Sequence, residues 1–321
     1  MSTTASQPLV GRLAPSPTGR LHLGHARSFL LAWWSIRSRG GQMRLRIEDL
    51  DGARARPEFV SLAQRDLEWL GMDWDGEALL QSSGVERLQA ALGYLSDAGL
   101  AYPCVCTRAD LRSAVSAPHA GDTEIPYPGT CRGRFDRLDG AEASAGREAG
   151  LRFTVAAGRV KVSDALCGDV EFDVAEESGD FLIARRDKTP AYQLAVVVDD
   201  AYQQVSEVLR GDDLLPSAAR QQLLQVALGL STPRWIHVPL VLDESGRRLA
   251  KRADDLSLEV LREGGTDPRA IVGWAANSAG FDVPERAHAA EVTPIFGLSE
   301  VRKEPVRLTR RTLEALKDAR A

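Results

Sequence analysis

Between Gly11 and Arg27 the chain reads GRLAPSPTGRLHLGHAR. A strand that runs into a Pro/Gly turn and then opens into a helix leaves backbone N–H groups and the positive helix terminus available to an anion, and phosphate is the natural guest. His22 and His25 can donate hydrogen bonds to a phosphorus centre as charge builds on it, and Gly24 has no side chain to obstruct an adenine or ribose. A second set of residues is soft. Cys104 and Cys106 in PCVCT and Cys131 in YPGTC offer three thiolates at a spacing that suits one structural, tetrahedral zinc ion. The fourth ligand is not a cysteine, and His119 is the conventional candidate; Cys167 reads as a buried thiol. A third segment, GRRLAKRAD at Gly246–Asp254, is a basic loop that follows the apolar run HVPLVLD.

The elements around these residues must alternate. Leu9–Ala14 reads as a short strand, His25–Arg37 has helical periodicity, MRLRIEDLD alternates as a strand ending in carboxylates, and Pro57–Leu70 and Val85–Ala98 are amphipathic. This is the first half of an α/β domain with a Rossmann-type, doubly wound parallel sheet. From Pro103 the texture shifts to cysteines, a Gly/Pro-rich stretch and short β-like runs, LRFTVAAG and GDVEFDVA, which predict an inserted, zinc-containing α+β domain. In YQLAVVVDDAYQQVSEVLRG the apolar AVVV reads as a buried strand, and PSAARQQLLQVALG as a helix beginning at Pro216 or Ser217. Asp199 and Asp200 either contact substrate or cap a strand end. Ser257–Glu263, Asp267–Ser278 and Thr309–Arg320 are helical in pattern, a small C-terminal helical subdomain. The expected divisions are 9–102 and 191–245 for the two halves of the core, 103–190 for the insert, and 246–321 for the basic loop and helical end.

Composition narrows the function classes. At 321 residues with 44% hydrophobic content the chain can bury a sizeable core, and a formal net charge of -5 provides no global field for indiscriminate nucleic-acid binding. Charges interrupt every apolar stretch, so no membrane partner is expected. The leader MSTTASQPLV resembles no targeting peptide and reads as disordered, which predicts a cytoplasmic location.

The Arg12–Arg27 string resembles the His-Ile-Gly-His signature of class I aminoacyl-tRNA synthetases in its glutamyl form, and GRRLAKRAD resembles their Lys-Met-Ser-Lys-Ser loop. Lys251 falls on the second lysine, while Arg248, Leu249 and Ala250 replace the first lysine, the methionine and the serine. The resemblance runs from about Val10 to Leu261 and implies activation of L-glutamate by ATP with Mg2+. His22, His25 and Lys251 would be catalytic, and Pro15, Thr18, Gly19, Gly24 and Arg248 would join them in holding ATP. By the same resemblance Arg12 would pair the γ-carboxylate and Glu48 of RIEDLD the α-amino group, with Ala14, Ser16, Tyr192 and Arg210 completing the pocket. It also puts Tyr127, four positions before Cys131, in the place of the fourth zinc ligand.

The short stretch after the lysine loop, the Cys-x-Cys and Tyr-x-x-x-Cys pattern and the altered loop together resemble a branch of this family. Its members attach glutamate to queuosine in the anticodon of tRNA(Asp). That implies no anticodon-binding domain, activation without tRNA, and as partners ATP, L-glutamate and tRNA(Asp) containing queuosine, with a monomer expected. Arg132, Arg134, Arg137, Arg185 and Arg186 could hold the anticodon stem-loop or be ordinary solvated charges. Two rival readings stay open: a reduced glutamyl-tRNA synthetase charging the 3′ end of tRNA(Glu), and a catalytically silent RNA-binding paralogue.

Overall fold

A computed structural model describes residues 8–107, 109–111, 126–249 and 257–321. The leader to residue 7, His119, and Ala250 and Lys251 of the basic loop lie outside the described residues. The first hundred residues alternate as their periodicity predicts: β1 Val10–Leu13, α1 Leu23–Arg37, β2 Gln42–Ile47, α2 Pro57–Trp69, β3 Leu79–Leu80 and α3 Val85–Asp97. β1 and β2 run parallel with Arg12 opposite Arg44, and β2 runs parallel to β3. Parallel neighbours need a crossover, which α1 supplies between β1 and β2 and α2 between β2 and β3. Leu13, Met43, Leu45 and Ile47 are fully buried, as strands covered by helices must be.

The cysteine region builds a three-stranded antiparallel sheet in the order β4-β5-β8, from β4 Ala101–Cys104, β5 Gly150–Phe153 and β8 Leu182–Ala184. Helix α4, Leu138–Ala145, covers it, and Tyr102, Cys104, Tyr127, Cys131 and Ala149 pack into a small apolar cluster of their own. The hairpin of β6 Val160–Asp164 and β7 Gly168–Phe172, followed by the short α5 Val174–Glu177, lies elsewhere. Its strand β6 joins a second sheet of order β7-β6-β10-β9, where β9 is Glu207–Gly211 and β10 is Arg234–Val238. Cys167 sits in the turn of this hairpin and is exposed, contrary to expectation. The Asp164 carboxylate accepts from the N–H groups of Leu166 and Cys167, and the turn so formed buries Leu166 while Cys167 stays at the surface, its thiol donating to His237 O at 3.4 Å.

The segment read as a buried strand at AVVV is a helix, α6 Tyr192–Tyr202. A four-residue apolar run fits a helix buried all round as well as a strand, and Leu194, Ala195, Val196 and Val197 are all buried against α3 and the following helix. The strand expected there is supplied twelve residues later by β9 Glu207–Gly211, which leads into α7 Leu215–Leu228, with Pro216 in its first turn, and β10 Arg234–Val238. β9 and β10 are parallel with Arg210 opposite His237. β9 also lies along β1: Ser206 N–H donates to Val10 O at 2.9 Å, and the Arg12 guanidinium donates to Leu209 O at 3.1 Å.

Past β11 Val241–Leu242, α8 Leu258–Glu263 is capped by Ser257 and α9 Pro268–Ala279 by Asp267, ahead of α10 Ala289–Val292. The chain closes with β12 Val306–Arg307, parallel to β11, and α11 Arg310–Asp318. This end piece folds back on α1: Arg27 donates to Ser278 Oγ, and fully buried Trp34 donates its indole N–H to Ala289 O at 2.9 Å. No helix among the described residues is long and apolar enough to cross a membrane. Trp34→Ala empties the joint between α1 and α10, and denaturant unfolding should show a loss of ~3–5 kcal/mol; Trp34→Phe, which loses only the N–H and part of the ring, should lose less.

Candidate active site

The first turn of α1 is capped by histidines in place of the usual hydroxyl and carboxylate. His22, in extended backbone geometry, accepts through Nδ1 from Gly24 N–H at 3.1 Å and His25 N–H at 3.4 Å, while its own N–H donates to His25 Nδ1 at 3.2 Å. The two rings stack with centroids 3.7 Å apart. A neutral imidazole that accepts at Nδ1 carries its proton on Nε2, so the cap sets both rings as Nε2 donors. A Cβ on Gly24 would stand 3.0 Å from the His22 ring, so glycine is what lets the stacked pair close over the helix start.

These residues open onto a cavity of about 470 Å3 that also contains Arg12, Ala14, Ser16, Gly24, Glu48, Tyr192, Arg210 and Arg248 in its walls. Pro15 and Gly19 line a smaller adjoining cavity that shares Ala14, Ser16 and His25 with it. Thr18 lines neither; its N–H closes the loop onto Ser16 O at 2.9 Å. Sequence reasoning missed Ser28 and Phe29, which stand three and four residues past His25 and so share its helix face, and Gly211 and Asp213 at the end of β9. The helical spacing could have found the first pair. Asp213 needed the fold: its carboxylate takes up the Arg248 guanidinium at 2.8 Å across the mouth of the cavity.

Behind the cavity runs a chain of buried charges. Arg12, 6% exposed, holds its Nε 3.6 Å from Asp200 Oδ1, too far for a hydrogen bond, and that Nε has no acceptor among the described residues. Asp200 Oδ1 also takes Arg46 Nη1 at 2.5 Å, and Arg46 Nη2 reaches Glu48 Oε1 at 3.2 Å. Burial lowers the Arg12 pKa against the pull of Asp200, and raises that of Glu48 against the pull of Arg46 and Arg12. Burial would lower Arg46 too, but Asp200 and Glu48 outweigh it and raise it. Asp199 is held apart by Arg87 at 2.7 Å and Gln81 at 2.8 Å, so both aspartates are structural anchors on α6 and neither lines the cavity. On the far wall Arg210 donates to His237 Nε2 at 3.0 Å, Gln221 Oε1 at 2.9 Å and Leu214 O at 3.3 Å. The arrangement presents a buried cation, a carboxylate and a second arginine to one small space, which suits a zwitterion carrying an extra carboxylate.

The cysteine cluster converges as the spacing requires. The three sulfurs lie within 4.8 Å of one another, with Cys106 and Cys131 at 3.5 Å, and the Tyr127 hydroxyl stands 3.4 Å from Cys104 Sγ and 3.7 Å from Cys106 Sγ. Sulfurs around a tetrahedral zinc at about 2.3 Å sit roughly 3.8 Å apart, so these residues fit the ion with Tyr127 facing the same centre. Buried Arg152 lies over the Tyr127 ring at 3.6 Å and donates to Cys104 Sγ at 3.2 Å, supplying positive charge beside the sulfurs. Of the arginines considered for RNA, Arg132 is tied to Asp180 and Arg185 to Leu50 O and Asp51, whereas Arg186 is exposed.

Arg46→Met would remove the guanidinium that hydrogen-bonds both Asp200 and Glu48, leaving Asp200 only the longer contact to Arg12, at a cost of about 3–5 kcal/mol. A carboxyl whose folded pKa lies above its unfolded value contributes stability at low pH that is lost as pH rises through the folded value. Glu48 is such a group, and losing Arg46 raises it further. The deficit in Arg46→Met should therefore shrink toward acid pH, measured as unfolding free energy across pH 4 to 8.

Residues 8–309 match the family model described as the catalytic domain of class I tRNA synthetases (E and Q). The chain is 43% identical to a glutamyl-Q tRNA(Asp) synthetase of Symbiobacterium thermophilum, covering 96% of this chain and 98% of that one. It is 44% identical to another so named from Nitratidesulfovibrio vulgaris, over 84% of this chain and 86% of that one. A glutamate–tRNA ligase of Synechococcus is 36% identical over 92% of this chain but 64% of its own length. The fold matches a crystal structure of a glutamate tRNA ligase from Elizabethkingia meningosepticum in complex with its amino acid, with TM-score 0.81 and 25% identity, over 97% of this chain and 69% of that one. The chain thus belongs to the class I glutamyl and glutaminyl tRNA synthetase family, among relatives named glutamyl-Q tRNA(Asp) synthetase, and is an aminoacyl-tRNA synthetase-like ligase.

Proposed function

We propose that this ligase activates L-glutamate with ATP and transfers the glutamyl group to queuosine in the anticodon of tRNA(Asp). The observation that carries the reading is the meeting of Arg12, Glu48 and Arg210 in one cavity with the His22–His25 helix start. Arg12, with Arg210, would take the amino acid's γ-carboxylate and Glu48 its ammonium group, leaving the α-carboxylate to attack the α-phosphorus of ATP in line. The Nε2 protons of His22 and His25, with Lys251 and Mg2+, would stabilise the charge on the phosphates as pyrophosphate leaves. A queuosine hydroxyl then attacks the glutamyl-adenylate carbonyl and AMP departs, so no enzyme nucleophile is needed. The acceptor is argued from the relatives' names together with near-complete mutual coverage of this chain and the Symbiobacterium protein.

In this reading 9–102 and 191–245 are the catalytic core, 246–321 carries the lysine loop and helical end, and 103–190 is the insert pinned by zinc on Cys104, Cys106, Cys131 and Tyr127. The tyrosine is favoured over His119 because its hydroxyl already faces the sulfurs.

Pyrophosphate exchange should be glutamate-dependent, proceed without tRNA, and fall at least about a hundredfold in Lys251→Ala, a loss of the size expected for one transition-state charge contact. Labelled glutamate should enter tRNA(Asp) containing queuosine and survive removal of the 3′ adenosine; label confined to the 3′ end of tRNA(Glu) would replace the acceptor proposed here. Protein purified without chelator should carry about one equivalent of zinc. Cys131→Ser should lose it, and Tyr127→Phe should release it faster to a competing chelator.

A further inference from the structure

A buried titratable pair stands behind the candidate glutamate pocket without lining it. β6, β10 and β9 are neighbouring strands, and near their ends they carry Asp164, His237 and Arg210. Arg210 is opposite His237 in the β9–β10 register, and Asp164 is opposite Trp235 where β6 meets β10. The side chains of His237 and Asp164 are both 0% exposed.

Hydrogen-bond bookkeeping settles the state of the ring. Arg210 Nε can only donate, and it does so to His237 Nε2 at 3.0 Å, so that nitrogen presents its lone pair. The ring proton is therefore on Nδ1, where it donates to Asp164 Oδ2 at 2.7 Å. The other carboxylate oxygen of Asp164 accepts from Leu166 N–H at 2.9 Å and Cys167 N–H at 2.8 Å, which prevents the group from turning. Burial, with the Arg210 charge, lowers the His237 pKa against the pull of Asp164, so the ring stays neutral and keeps its acceptor.

We propose that the Asp164–His237 pair is a positioning device for Arg210, fixing the plane in which the guanidinium faces the cavity and thereby the affinity for the amino acid's carboxylate. A guanidinium recognises carboxylate through a planar fork, so an acceptor at Nε that locks the plane favours binding before any ligand arrives. Gln221 and Leu214 O hold the two other nitrogens, and the Trp235 ring lies 5.0 Å from the guanidinium carbon, but among the described residues only His237 holds Nε. The inference rests on the reading that Arg210 binds glutamate.

Asp164→Asn tests it with almost no change of shape. The new amide must turn an N–H either toward His237 Nδ1, forcing the tautomer that opposes Arg210, or toward the N–H groups of Leu166 and Cys167. In pyrophosphate exchange with the full chain, Asp164→Asn and His237→Leu should each raise the glutamate KM about tenfold, as for a lost hydrogen bond to a charged group, with the ATP KM within about twofold. His237→Gln, whose amide oxygen can still accept from Arg210, should lose less than His237→Leu. Parallel rises in both KM values, or an unchanged glutamate KM in Asp164→Asn, would overturn the proposal. Should His237→Leu fail to fold, Asp164→Asn and His237→Gln carry the decision. Absence of exchange in the wild type would instead sink the reading of the site, and calorimetric titration of glutamate onto wild type and Asp164→Asn would then judge the positioning alone.

Discussion

Asp200 is shared by two arginines, and the geometry of the pocket follows from that sharing. A carboxylate and two guanidinium groups out of water are tolerable only as a connected set, because each alone would carry a desolvation penalty of several kcal/mol. Arg12 comes from β1, Arg46 from β2 and Asp200 from α6, so the set draws together the two chain segments that flank the cysteine-bearing stretch. Glu48, two residues beyond Arg46, is brought to the cavity by the same contact, and Arg12 is aimed there by its bond to Leu209 O on β9. The strands place the backbone, but the ion pairs decide which way its ends point.

Much of this was legible before the fold was seen, and the reasons differ by segment. The His22–His25 turn can be read from its own residues, because a strand that opens into a helix start can hold phosphate, whereas Arg12, Glu48 and Arg210 come from the resemblance to glutamyl-tRNA synthetases. The structure puts them in one cavity. The three cysteines converge as their spacing suggested, and Tyr127, which was supplied by resemblance, joins them. The error at AVVV has a physical source: a run of four β-branched and small residues has no period long enough to tell a helix buried on every side from a central strand. His237 and Asp164 went unnoticed for another reason. They lie 73 residues apart and meet only because β6 and β10 are sheet neighbours.

The cysteine cluster and the cavity are held by opposite strategies. Around the cavity, anions are matched to cations donated by distant strands. Around the cysteines, three sulfurs crowd into one place with Arg152 as the adjacent positive charge, an arrangement that could hold a divalent ion. The first depends on long-range topology and is inseparable from the core sheet, whereas the second is enclosed in its own small cluster.

The histidine cap on α1 has a consequence for how this protein can change. In most helices the capping side chain and the reactive groups are different residues, so stability and activity can drift separately. Here the nitrogen that ties off the helix, Nδ1 of His22, is in the same ring as Nε2, the nitrogen proposed to meet the phosphates. Serine or aspartate at position 22 could still cap the helix but would remove the imidazole proposed to act on the phosphates, and a side chain that cannot accept there would loosen the helix. On the proposed reading, one side chain then carries both properties, so a change at position 22 trades one against the other.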